Sequence, residues 1–251
     1  MDRLLENHVA LVTGAAQGNG AAIAKGLAMA GAAVAVSDIN LEGAKETALV
    51  IERHGSRSVA FKCDVADRDQ CNAFIKEAEE VLGKPSILVN NAGIFIRGGM
   101  DEHDFENVWR QTLNINVMGV VNMTMAALPS LRQTKGRIIN VGSIRSFTAD
   151  KASAAYAASK GAILQITKSF AVELVGEGVR VNAIAPGIIA TPMTEVTRAD
   201  PLKIGNFLRD VPMGRVGEAE ELVGPVNFLA SDMSSYITGV MLPVDGGYLA
   251  Q

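Results

Sequence analysis

Cysteine is scarce. Cys63 and Cys71 are the only two in 251 residues, and their spacing matches neither a Cys-x-x-Cys redox pair nor a metal-ligand pattern. That excludes a disulfide framework, gives no metal site, and makes a reducing, cytoplasmic setting the expectation. Positive charge is in deficit: 23 Lys and Arg stand against 27 Asp and Glu, a net charge of −4. This balance argues against nucleic acid or an anionic membrane as the main partner. Long hydrophobic runs are missing too. The most apolar stretch, 21–36, is interrupted by Lys25 and broken at Gly31, too short to span a bilayer. The segment Met1–Val9 carries early acidic charge and no long apolar core, so it does not read as a signal peptide. No internal repeat, low-complexity tract or linker divides the chain. What remains is 48% hydrophobic, enough for a large core and against global disorder. The length suits one α/β domain and leaves little room for a second.

The amino-terminal half alternates strand and helix patterns. Val9–Thr13 is an apolar run that ends in Gly14-Ala-Ala-Gln-Gly18-Asn-Gly20, and a helical pattern with Ile23, Leu27 and Ala30 follows up to Gly31. Strand, glycine-rich turn and helix is the context a phosphate-binding turn requires. The glycines permit a tight turn and close approach to a pyrophosphate, and the helix amino terminus offers free N–H groups. The next strand, Ala33–Asp38, ends in an acid 18 residues past Gly20, placed to accept hydrogen bonds from ribose hydroxyls. The blander alternative is an ordinary turn Asp ahead of the helix beginning near Leu41. A third strand runs over Ser58–Val65, a helix over Asp67–Leu82, and a fourth strand over Ser86–Asn90, leading into Asn91-Ala-Gly93. Nearly continuous apolar strands alternating with helices indicate a doubly wound parallel sheet of about seven strands, a single-domain Rossmann-type α/β fold with helices on both faces. Ligands bind such sheets at the carboxyl ends of the strands, where Gly14, Asp38, Asp64, Asn90, Gly93 and Ser143 all fall.

The chemistry concentrates between Ser143 and Lys160. Tyr156 and Lys160 lie four residues apart in an Ala-rich helical segment, hence on one face about one turn apart. An ammonium at about 4 Å, in an effective dielectric of about 20, favours the phenolate by roughly 4 kcal/mol. That is on the order of three pKa units, enough to bring a tyrosine near working pH. Ser143 ends the strand-like run Arg137–Ser143 and could hold a carbonyl or alcohol oxygen beside that phenol. Alone, Tyr-x-x-x-Lys is a weak signal, equally compatible with a solvated lysine on a surface helix.

In combination, these motifs resemble the short-chain dehydrogenase/reductase family, in its simple single-domain branch, over essentially the whole chain. They are Thr13-Gly14-Ala-Ala-Gln-Gly18-Asn-Gly20, Asn90–Gly93, Asn116 in Asn116-Val-Met-Gly119, Ser143 with Tyr156 and Lys160, Pro186-Gly187, and Gly239–Gly247. The resemblance implies an NAD-dependent oxidoreductase that interconverts a secondary alcohol and a ketone. Tyr156 would be the general acid or base, Lys160 would lower its pKa and hold the nicotinamide ribose, and Ser143 would orient the substrate oxygen. Asn116 would hold a relay water. Cofactor contacts carried over are Gly14, Gln17, Gly18, Asn19, Gly20, Asp38, Asn91, Ala92, Gly93, Pro186, Gly187 and Ile189. Asp64 and Val65 would contact the adenine, Asn90 the neighbouring ribose region, and Ile188 with Thr191 the carboxamide end. Asn19 departs from the family, which usually places an apolar residue there. The resemblance further implies a homotetramer or homodimer. The segment near 191–214 would be a substrate lid, and the substrate a sugar, polyol or small hydroxy acid. Arg97 and Arg145 fall near the expected pocket mouth and would select an anionic substrate, unless they pair with Asp101 and Asp150 at the surface. A 3-oxoacyl thioester reductase and a non-catalytic dinucleotide-binding protein are the alternatives. A methyltransferase shares the glycine turn, but the Asn90–Gly93 and Tyr156–Lys160 motifs speak against it.

Overall fold

The computed structural model describes residues 4–251; Met1–Arg3 of the amino-terminal segment lie outside the described residues. Seven parallel strands form one sheet in the order β3-β2-β1-β4-β5-β6-β7. They are β1 (Val9–Thr13), β2 (Ala33–Asp38), β3 (Ser58–Lys62), β4 (Ile87–Asn90), β5 (Arg137–Val141), β6 (Arg180–Pro186) and β7 (Met241–Val244). The order reverses between β1 and β4, which opens a crevice at their carboxyl ends.

The strands are apolar at nearly every position because both faces are covered, and alternate residues feed two separate cores. Ala10, Val12, Val34, Val36, Ile87 and Val89 point to one face. There they meet α1 (Gly18–Met29), α2 (Leu41–Arg53) and α9 (Val223–Ala230) through Ile23, Leu27, Ile51, Val226 and Leu229. Leu11, Ala35, Leu88 and Ile138 point to the other, against α3 (Arg68–Leu82), α5 (Gly119–Thr134) and α6 (Ala154–Leu174) through Phe74, Ile75, Met123, Leu131 and Leu174. Asp67 starts α3 by accepting from the N–H groups of Asp69 and Gln70, which places the helix start one residue after the predicted one.

Two departures from the sequence pattern bear on the site. The apolar stretch that begins at Phe105 is not one helix but α4 (Phe105–Leu113) and α5 joined by a π-helical turn, Asn114–Met118. An extra residue per turn swings Asn116 inward, and such turns recur where a helix serves a function. The segment 191–214 shows weak periodicity in sequence, yet it carries α7 (Glu195–Arg198) and α8 (Pro201–Arg209). Asp200 caps α8 by accepting from Leu202 and Lys203 N–H, and Pro201 occupies the first helical position, where its missing N–H costs nothing.

Candidate active site

The glycine turn between β1 and α1 sits at the switch in strand order. Gly14 and Gly18 adopt φ of +63° and +56°, a region side chains disfavour. A Cβ on Gly20 would lie 2.2 Å from the Gly14 carbonyl oxygen, so the turn closes only on glycine there. Gln17 leads into α1 without any side-chain cap, which leaves the first helical N–H groups without a side-chain acceptor. These amides border a cleft of about 490 Å³ lined by Gly14, Gln17, Gly18, Asn19, Gly20, Asp38, Asp64, Val65, Asn91, Ala92, Gly93 and Thr191. Ile39, Cys63, Ile94, Gln111, Ile115, Pro192 and Met193 complete it; Cys63, Ile94, Gln111 and Ile115 were not singled out from the sequence.

The cleft's polar groups are tied to one another. Asp38 accepts from Ala16 N–H (3.0 Å) and Asn40 N–H (2.9 Å), so the acid braces the glycine turn. Asn91 does the same from the other side, donating to the Thr13 and Gly14 carbonyls at 2.9 Å each. The Thr13 hydroxyl accepts from the Asn91 and Ala92 N–H groups. This structural role for Thr13 was not read from the sequence, where a strand-end Thr carries no distinctive signal. Asn19 lines the cleft, and its buried Oδ1 has no hydrogen-bond partner among the described residues. Uncapped amides, a glycine cradle and an unpartnered amide side chain suit a dinucleotide with its pyrophosphate on α1 and its ribose hydroxyls near Asp38.

Asn90 is a correction. It lies on the opposite side of its strand from Asn91 and turns away from the cleft. Its Nδ2 donates to Asn140 Oδ1 (2.9 Å) and Thr124 Oγ1 (3.2 Å). β4 and β5 set Asn90 level with Asn140, so the two side chains share one face of the sheet. The strand-β6 exit divides the expected residues between the pocket and the core. Gly187 and Ile188 line the pocket that holds Tyr156. Ile189 is buried in the core instead, at 3% exposure, and Pro186 ends β6 and lines neither the cleft nor that pocket.

Beside the cleft lies a second pocket of about 690 Å³, which Ser143, Tyr156, Arg97 and Arg145 all line. Ser143 is held in an extended conformation by its own turn, accepting from Arg145 N–H at 3.1 Å while Ser146 bonds back to the Ser143 N–H. Ser146 also donates to the Lys160 carbonyl at 2.7 Å, which couples this turn to α6. Tyr156 packs its ring on Phe95, centroids 4.7 Å apart. Lys160 is buried one turn along α6, its Nζ 5.7 Å from the Tyr156 ring centroid and donating to the Val141 carbonyl at 2.8 Å. A Cβ on Gly93 would stand 3.7 Å from that Nζ and 3.1 Å from Asn116 Oδ1, so glycine lets the turn after β4 approach both. Asn116 Oδ1 accepts from Ile94 N–H (2.8 Å), and its Nδ2 donates to Ile94 O and Ser159 Oγ. Both amide donors are thereby used on the protein.

Burial is the leading influence on both Tyr156 and Lys160. Burial pushes the Tyr156 phenol above its ordinary value, and the groups that pull it back are Ser143, by hydrogen bonding, and Arg145, by charge. Burial moves Lys160 itself from 10.5 to about 8. One of the lysine's three donors goes to the Val141 carbonyl. Arg97 and Arg145 both stand 3.5–3.6 Å from one oxygen, Oδ2 of Asp150. Arg97 therefore pairs with Asp150 and not with Asp101.

A Rossmann-type sheet with a glycine-lined cleft, abutted by serine, tyrosine and lysine, defines a dinucleotide-binding protein equipped for proton transfer. The family model described as Enoyl-(Acyl carrier protein) reductase matches residues 14–249. The 2-dehydro-3-deoxy-D-gluconate 5-dehydrogenase of Pseudoalteromonas atlantica is 39% identical over 251 residues, 98% of each chain. The 3-oxoacyl-acyl-carrier-protein reductase of Thermotoga maritima is 38% identical, over 97% of this chain and 98% of that one. A solved gluconate 5-dehydrogenase from Burkholderia cenocepacia J2315, in complex with NADP and tartrate, superposes with a TM-score of 0.94 at 35% identity, covering 99% of this chain and 98% of that one. The chain belongs to the short-chain dehydrogenase/reductase family.

Proposed function

We propose that this protein interconverts a secondary alcohol and a ketone, using a nicotinamide dinucleotide held across the glycine-lined cleft. The observation that carries the reading is the convergence of Ser143 and Tyr156 on one pocket wall, with Lys160 one helical turn behind them beside Gly93. The dinucleotide supplies the hydride donor or acceptor. Ser143 holds the substrate oxygen by a hydrogen bond. Tyr156 gives a proton to that oxygen during carbonyl reduction and takes it back during alcohol oxidation. Lys160 holds ribose hydroxyls and passes protons on, and the π-helical turn at Asn116 positions the Ile94 backbone and the relay path behind Lys160. Gly14, Gln17–Gly20, Asp38, Asp64, Val65 and Asn91–Gly93 hold the dinucleotide, with Gly187, Ile188 and Thr191 at its reacting end. The segment 191–214 covers the substrate, because Met193, Thr194, Thr197, Lys203 and Phe207 within it line the pocket of Tyr156. The reading is tested with a panel of alcohols and ketones, a 3-oxoacyl thioester included, by following the absorbance of the reduced cofactor. Absence of turnover across the panel overturns it.

NAD is the preferred cofactor in this reading, although three solved neighbours hold NADP. Asp38 presents a carboxylate where a 2′-phosphate would lie, and Ala15, Ala16, Gln17 and Ile39 around it bring no compensating positive charge. We expect kcat/KM to favour NAD over NADP by about tenfold or more, on the order of 1.4 kcal/mol. Asp38→Ala should narrow the ratio from the NADP side. A wild-type preference for NADP overturns the assignment.

Assembly into a homotetramer or homodimer is supported by apolar side chains left exposed on α5 and α6 and at the π-helical turn. Met118 and Met125 are each 46% exposed and Val172 is 80% exposed. Light scattering in solution reads the state, and a monomer at micromolar concentration contradicts it. Cys63 and Cys71 are both free and buried, which supports a cytoplasmic setting that cell fractionation can check.

A further inference from the structure

The pocket that holds Ser143 and Tyr156 is more positive than the chain around it. Arg97, Arg145, Lys151 and Lys203 line it against Asp150 and Asp210, four cations to two anions, in a protein whose net charge is −4. Two of those cations share one acid. Arg145 Nη2 lies 3.5 Å and Arg97 Nη2 3.6 Å from the same oxygen, Oδ2 of Asp150. Charge-assisted N–H···O bonds close to about 2.7–2.9 Å, so neither contact is a full one. The Asp150 side chain is committed elsewhere through Oδ1, which accepts from the Lys151 N–H at 2.8 Å.

Arg145 is the better-defined arm. Its side chain is only 16% exposed, and Nη1 donates to neutral acceptors alone: Thr148 Oγ1 and Ala149 O at 3.0 Å, and Tyr248 Oη at 3.4 Å. Tyr248 comes from the far carboxyl-terminal turn and stacks on Phe207 of α8, centroids 5.0 Å apart and nearly parallel. The guanidinium is therefore clamped from two distant parts of the chain, with its one nearby anion shared and held too far for a strong bond. Arg97 lies over the Phe95 ring, which in turn packs on Tyr156. Holding two cations at the edge of a pocket with one distant carboxylate between them is unfavourable for folding and suits a second carboxylate arriving with the ligand.

We propose that the Arg97–Asp150–Arg145 cluster makes this enzyme select a secondary alcohol or ketone that carries a carboxylate. Arg145 and Arg97 bind the carboxylate, and Asp150 holds both guanidiniums in place while the pocket is empty. The proposal rests on Tyr156 and Ser143 marking the reacting end of the same pocket.

The cluster makes a prediction of opposite sign for its members. Arg145→Ala and Arg97→Ala should each weaken a hydroxy acid by about 10- to 100-fold while leaving its neutral amide within about threefold. Asp150→Asn keeps the Oδ1 acceptor for Lys151 and removes the competing charge, so it should tighten the acid several-fold. A merely structural role for Asp150 would instead weaken or spare both ligands. The experiment is calorimetric titration of D-gluconate, tartrate and 3-hydroxybutyrate, each beside its own amide, into the wild type and the three variants, without cofactor. Kinetic kcat/KM ratios for the same acid and amide pairs accompany it. Preference for at least one acid over its amide, lost in the arginine variants and enhanced in Asp150→Asn, supports the proposal. Equal binding of every acid and amide, or an unchanged ratio in all variants, overturns it. Absence of turnover with any substrate would defeat the oxidoreductase reading, while the titrations would still judge the anion site.

Discussion

Tyr156→Phe is expected to lower kcat by about 10²–10⁴-fold, with the fold and dinucleotide binding intact. The substitution removes one hydroxyl and keeps the ring. The ring makes the packing contacts, on Phe95 at 4.7 Å and near the Lys160 ammonium at 5.7 Å. The hydroxyl's neighbours are Ser143 and the charge of Arg145, both on the pocket side. Little structural free energy therefore depends on the oxygen, whereas all proton transfer to the substrate does. Direction matters as well. A phenol pushed above 10 is protonated at neutral pH, the form needed to protonate a ketone. The kcat/KM for alcohol oxidation should accordingly rise with pH through the alkaline range, and that for carbonyl reduction should not. Near-normal kcat in Tyr156→Phe would falsify the assignment of the proton donor.

Lys160→Met should abolish most activity and weaken dinucleotide binding, and at neutral pH it should also make the protein more stable. Burial lowers the lysine from 10.5 to about 8, a gap worth about 3 kcal/mol against the charged, folded form. Loss of the donor to the Val141 carbonyl returns about 1–3 kcal/mol of that, so the gain is modest. The pH dependence identifies its origin. Below about 8 the lysine is charged in both folded and unfolded wild type, and the whole penalty is present. Between about 8 and 10.5 the unfolded chain binds more protons than the folded one, so wild-type stability rises with pH relative to the variant. The difference in Tm between variant and wild type should be largest at pH 7 and shrink towards pH 10.5. A variant equally destabilised at all pH values would show that Lys160 contributes packing and hydrogen bonding rather than a buried charge. Stability given up for a buried ammonium is what a functional position, and not a structural one, is expected to show.

Local chemistry accounts for what could be read before the fold was known. A glycine with positive φ, an acid at a strand end and two side chains four apart on a helix are short-range patterns, written within a few residues. From them came the strand–helix alternation, the cleft at the carboxyl ends, and the positions of Gly14–Gly20, Asp38, Ser143, Tyr156 and Lys160. Where a side chain points, and what it meets, depends on distant segments. Asn90 and Asn91 are adjacent and chemically identical, yet the pleat sends one to Asn140 in the core and the other to the glycine turn. The spacing of Lys160 from Tyr156 was legible, but its bond to the Val141 carbonyl on a neighbouring strand was not. Arg145 and Arg97 were visible as cations and Asp150 as a partner for Arg145, but that Arg97 shares this acid, and that Tyr248 clamps Arg145 from 103 positions away, were not. Residue type and local spacing determined which groups this protein has to work with. Only the tertiary structure decided their protonation and their partners, because both depend on burial and on charges brought close by the fold.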